Sequence, residues 1–196
     1  MYWYVALLVL LTTSVSQAKA ESPDEQARRL VNHYRQLAGL TPVKLDLQLS
    51  AGCMEHANYM VQNRGTDAMA GLNAHTQRPN LPGASAAGAA CAKAADLFPK
   101  VSDLGVAIDV WMAGMYHRRP MLDPQLERIG VGYARLPDGM LTAALRFENA
   151  TRRRGGWPVA YPADKQTEVP LDYGAEYPNP IPNHGSGGYP ITLSAP

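Results

Sequence analysis

The chain has 196 residues, 46% of them hydrophobic, and a formal net charge of +1. That length suits one domain of ordinary size with a buried core. The near-neutral charge leaves no electrostatic footprint for nucleic acid or an anionic membrane surface.

Met1 to Ala20 read as a secretory leader. Tyr4 to Leu11 is an apolar run, and Ala18-Lys19-Ala20 supplies a small-x-small cleavage site. The leader lacks an early Lys or Arg, so only the terminal amine supplies its positive charge. The run is too short to cross a bilayer, which takes about 20 apolar residues. The mature chain is therefore expected to start near Glu21, secreted or periplasmic, with no transmembrane segment.

Ser22-Pro23-Asp24-Glu25 predicts a helix start. Ser22 would cap, Pro23 suits the first position, Glu25 would close a capping box, and the acids face the positive end of the dipole. Ala27, Leu30, Val31, Tyr34 and Ala38 repeat at helical spacing until Gly39. Leu40 to Val43 reads as a connector. A second helix is predicted from about Asp46 to Arg64, with Leu49, Cys53, Ala57, Met60 and Val61 on one face. Thr66 to Lys100 is rich in Gly, Ala, Pro and Asn, and reads as a long loop with room for one short helix. Loops of that length inside a domain usually carry function. Ser102 is expected to cap a third helix that runs to His117, with Leu104, Ala107, Ile108, Trp111 and Met115 inward.

Two strands follow. Ile129, Val131 and Tyr133 alternate with glycines, Leu141, Ala143, Leu145 and Phe147 alternate in the next run, and Pro137-Asp138-Gly139 is a turn signal between them. Helices first and an antiparallel hairpin later give an α+β layered fold. Eight of the sixteen prolines fall in the last forty residues, which predicts an extended strap over the domain or a linker to another module. The expected division is 1–20 leader, 21–150 domain and 151–196 Pro/Gly-rich extension. Arg152-Arg153-Arg154 at that boundary reads as a solvated linker. Cys53 and Cys91, an even pair in an oxidising compartment, are expected to form a disulfide. Closing that loop would stabilise the fold by about 4 kcal/mol in the chain-entropy picture.

Among the histidines, His117 stands where a helix gives way to a turn and a sheet, so its imidazole can face a cleft. His56 follows Glu55, but no His-Glu-x-x-His is present, and it reads as a core or helix-surface residue. His33 and His184 are expected to be exposed. Ser85 lies among glycines without forming a Gly-x-Ser-x-Gly elbow; Gly83 and Gly88 suggest close backbone approach instead. Trp111 reads as core. Arg118 and Arg119 could hold an anion beside the cleft, although a solvated turn is the commoner meaning of such a pair.

Several of these stretches resemble the CAP superfamily of SCP-like secreted proteins. They are Leu30-Val31-Asn32-His33-Tyr34-Arg35 with Gly39-Leu40, Ala51 with His56-Ala57, Trp111 with His117-Arg118, and Ile129-Gly130-Val131-Gly132. The resemblance runs from Leu30 to Phe147. It implies a three-layer α-β-α sandwich whose cleft, in better-known members, holds two histidines and two glutamates able to bind zinc or another divalent ion. Carried over, His75 matches the first histidine and His117 the second. The family's Gly-Glu-Asn would fall near Ala87 to Ala90, so Ala89 replaces one acid and Val106 the other. Asp109, about two helical turns before His117, is the candidate substitute, although a helical acid usually faces solvent.

Catalytic zinc normally takes three protein ligands, and no glutamate stands at the family position to act as base. The expected function is thus a non-catalytic binding module receiving an unidentified protein or a small apolar ligand around His75 and His117. The alternative is a divalent-metal-dependent hydrolase of peptide or cell-wall material, with Asp109 or a water supplying the base. No residue is assigned as catalytic, and zinc or another divalent ion is the one cofactor the resemblance implies.

Overall fold

The computed structural model describes residues 21–151, 155–174 and 176–195. The expected leader and the Arg152 to Arg154 run lie outside these residues. Helix α1 spans Pro23–Leu37 and buries Ala27, Val31 and Arg35. Ser22 makes no side-chain cap, contrary to the capping box expected. Glu25 is instead engaged by Arg28 at 2.6 Å, one turn along the helix.

Strand β1 (Lys44–Leu45) leads into α2 (Leu47–Gln62). Asp46 caps α2 by accepting from the amides of Gln48 and Leu49. The stretch expected to be loop is more ordered than its composition suggests. It holds two 3-10 turns (Asp67–Met69 and Gly71–His75), α3 (Ala86–Ala92) and β2 (Ala95–Val101). The β2 sequence has no alternating β-branched pattern and contains Pro99. It is extended because Ala95 to Phe98 pair antiparallel with Arg146 to Ala143 of a later strand.

Helix α4 (Leu104–Ala113) is capped by Asp103 rather than by Ser102. The single helix expected to end at His117 breaks at Gly114, and α5 (Met115–Met121) starts there. Strands β3 (Leu126–Arg135) and β4 (Leu141–Asn149) form the hairpin. The sheet order is β1-β3-β4-β2, with β1 parallel to β3 and the other pairs antiparallel.

Helices α1, α4 and α5 cover one face, with Val31, Ile108, Trp111, Met112, Leu126, Ile129 and Leu145 in the core between the layers. The other face packs Cys53, Cys91, Ala95 and Ala144 beneath α2 and α3. The result is a three-layer α-β-α sandwich, and a Cys53–Cys91 disulfide ties α2 to α3. The glycines of β3 let α2 lie directly on the strand. A Cβ on Gly132 would sit 2.1 Å from the carbonyl carbon of Cys53.

The motif residues of α1 serve this architecture. Asn32 exchanges two hydrogen bonds with the Val43 backbone. Arg35 is fully buried and donates to the carbonyls of Thr41, Met121 and Asp123. These bonds pin the connector before β1 and the end of α5 to the first helix.

Beyond the hairpin, β5 (Val159–Tyr161) pairs with β8 (Thr192–Ser194), and β6 (Asp172–Gly174) pairs with β7 (Ser186–Gly188). Val159 and Tyr161 join the main core, so this segment lies against the domain. Arg118 explains the attachment. It is 1% exposed, sits 4.7 Å from the ring centres of both Tyr161 and Tyr189, and donates to the carbonyls of Met112 and Pro190. Its charge is spent on ring faces and carbonyls rather than on an anion or solvent. Arg119 stays exposed.

Candidate functional site

A cavity of about 830 Å³ opens between the second 3-10 turn, β2, α4, the start of α5 and β6. His75, Asp109 and His117 all line it. The remaining wall is mostly apolar and aromatic, with Leu97, Phe98, Val106, Val110, Trp111, Tyr173 and Tyr177. Among the described residues lining it there is no Ser, Thr, Cys, Lys or Arg.

His75 ends its 3-10 turn with Nδ1 3.0 Å from the Ala92 carbonyl oxygen. A carbonyl only accepts, so Nδ1 carries the hydrogen, and in the neutral ring Nε2 is an acceptor. His117 is held in the same way by a group that sequence reasoning missed. Its Nδ1 lies 2.8 Å from Oε2 of Glu176, which comes from the C-terminal extension. The Glu176 side chain is only 5% exposed. It also accepts from the amides of Met115 at 2.5 Å, Tyr116 at 3.0 Å and His117 at 3.4 Å.

These contacts explain the break at Gly114. Ending α4 there frees the first amides of α5 for the carboxylate. A Cβ at Gly114 would stand 2.5 Å from Oε2 of Glu176, so glycine leaves the room the acid occupies. Burial works against the charge of Glu176, but the His117 bond and the Met115 and Tyr116 amides outweigh it and hold the carboxyl below the usual range. Nothing local in the sequence marked Glu176, because its partners lie about sixty residues upstream.

Asp109 has a different partner. Its Oδ1 accepts from the Tyr34 hydroxyl at 2.7 Å, and burial together with this acid keeps that hydroxyl protonated. His56 is buried in the core, stacked on Tyr59, and its Nδ1 accepts from Gln77. Burial, with His75 nearby, pushes its imidazole down to about 4, so it is neutral at physiological pH. Ser85 caps α3 and donates to Glu55. His33 and His184 are exposed. Ala89 is on α3 and does not line the cavity, whereas Val106 stands at its rim.

The donor set does not fit the metal site that two histidines and two glutamates would build. Both Glu176 oxygens are taken by amides and an imidazole N–H, and Asp109 Oδ1 is taken by Tyr34. No group of three or more His, Cys, Asp or Glu able to hold an ion occurs among the described residues.

One further acid lies close by. Asp96 on β2 is buried, and burial plus the charge of Glu176 push its carboxyl well above the usual range. A carboxyl raised in this way stabilises the fold below its unfolded value, near pH 4, and that contribution is lost as pH rises. Asp96→Asn is therefore expected to be more stable than the parent at pH 8 and equal to it near pH 4. Denaturation midpoints at the two pH values check this; a constant difference would refute it.

The family model "CAP: Cysteine-rich secretory protein family" matches residues 28–145. No curated protein matches the sequence. Among solved structures, the chain is similar to an outer surface protein from Borrelia burgdorferi, with TM-score 0.47 and 15% identity over 64% of this chain and 92% of that one. It is also similar to an extracellular protein containing a SCP domain from Bacillus anthracis str. Ames, with TM-score 0.44 and 19% identity over 67% of this chain. The chain spans 45% of that Bacillus protein's length.

Proposed function

The chain belongs to the CAP family of cysteine-rich secretory proteins, and from that premise we propose that it is a secreted, non-catalytic binding module whose cleft takes a small, largely apolar ligand. The observation that carries this reading is the cavity itself. Its volume, about 830 Å³, lies in the range that holds small molecules, and its wall is mainly apolar with a few polar groups at fixed places. The lining residues offer no hydroxyl or thiol nucleophile beyond tyrosine. The carboxylate beside His117 is engaged by backbone amides and by the imidazole itself, so a hydrolase would have to draw its base from His117 or Asp109.

Export fits the single disulfide. The C-terminal extension would then act as part of the cleft, since Asp172, Tyr173, Glu176 and Tyr177 form one of its walls.

The test is titration of the mature chain with the uncharged fluorophore N-phenyl-1-naphthylamine. Saturable one-to-one binding at micromolar affinity is expected. Val110, half exposed on α4 at the cavity wall, can carry a charge without disturbing the core. Val110→Arg is expected to weaken binding about tenfold, because an apolar ligand would then lie against an unpaired cation. No saturation in the parent, or unchanged affinity in the variant, would reject the reading.

A further inference from the structure

We infer that the ligand of this cavity is an amphiphile with a positively charged amine head, and that the cavity discriminates against carboxylate and phosphate amphiphiles. This rests on the binding reading above and adds the charge of the ligand to it.

The charged groups of the lining are Asp109, Asp172 and Glu176, and no Lys or Arg accompanies them among the described lining residues. Arg118, the nearest buried cation on α5, is committed to two tyrosine rings and to backbone carbonyls. A ligand anion would therefore meet three acids and no Lys or Arg among the described lining residues.

The histidines point the same way. His75 spends its Nδ1–H on the Ala92 carbonyl, and His117 spends its own on Glu176. Each neutral ring is left with Nε2 as an acceptor, which suits a ligand that donates. An ammonium or an amine donates; a carboxylate or a phosphate diester does not.

The aromatic wall supplies the remaining attraction. Trp111 and Tyr173 line the cavity together with Tyr177, and ring faces attract cations while accepting hydrocarbon. The apolar residues of β2 and α4 take the tail. A choline phospholipid would bring its own phosphate against the acids, so the structure favours a free amphiphilic amine.

The experiment compares dodecylammonium, dodecanol and dodecanoate, each as monomer at pH 8, in displacing N-phenyl-1-naphthylamine from the mature chain. The ammonium is expected to bind about tenfold tighter than the alcohol, with the carboxylate weakest. Added salt should weaken only the ammonium. The double variant Asp109→Asn/Asp172→Asn should remove most of the ammonium preference over dodecanol. Asparagine at 109 keeps an oxygen for the Tyr34 hydroxyl, so the wall is preserved. Equal or tighter binding of dodecanoate, or a preference that survives the double variant, would overturn the inference. Failure of all three amphiphiles and of the fluorophore would overturn the cavity reading beneath it as well.

Discussion

Glu176→Ala is expected to lower the unfolding free energy by about 3 kcal/mol and to loosen the C-terminal segment from the cleft. The substitution leaves the amides of Met115, Tyr116 and His117 and the His117 Nδ1–H without their acceptor in a nearly closed site. Hydrogen bonds to a charged group are worth about 1.5–3 kcal/mol, and stranding buried donors adds a desolvation penalty. Glu176→Gln, which keeps one acceptor oxygen, should lose about half as much.

The pH dependence follows from the lowered carboxyl. Its contribution is present above the unfolded value near pH 4 and is lost as pH falls through the lower folded value. The alanine variant should therefore show a flatter acid limb than the parent. Denaturant midpoints from pH 7 to pH 3 check this, with limited proteolysis reporting release of the segment. Unchanged midpoints and an unchanged acid limb would mean that the extension is held by other contacts.

Gly132→Ala should be more damaging, by about 4 kcal/mol or to the point of no soluble protein. The added methyl would fall 2.1 Å from the Cys53 carbonyl carbon and 2.5 Å from the Met54 amide nitrogen, both backbone atoms of α2. No side chain can move aside, so the helix would have to lift from the sheet and open the packing around the disulfide. Gly185→Ala, where an added Cβ meets nothing within 4 Å, is the control and should change stability by less than about 0.5 kcal/mol. Thermal melts of the two variants decide the matter; comparable melts would show that the close approach of α2 is not needed.

Local pattern carried much of the fold. The apolar periodicity around Val31 and Cys53 placed α1 and α2. The glycine-spaced run Ile129 to Tyr133 and the turn at Pro137-Asp138-Gly139 placed the hairpin. These signals are readable because a helix face and a strand face repeat at fixed short spacing. Cysteine parity, taken with the oxidising compartment expected from the sequence, was enough to pair Cys53 with Cys91.

Strand β2 left no such trace, since Ala95 to Val101 is extended by its partner rather than by its own residues. Arg118 read as a turn cation and is a buried strut, because the tyrosines that enclose it lie about forty and seventy residues downstream. The motif named His75 and His117, but not the acid beside His117, which comes from a Pro-rich segment with no helical or strand periodicity around it. By itself, the sequence determined the layers, the hairpin, the cross-link and the two histidines, all of which depend on short-range spacing. Only the tertiary structure decided what faces those histidines, because a carboxylate brought in by the chain's return is a long-range contact that no local pattern encodes.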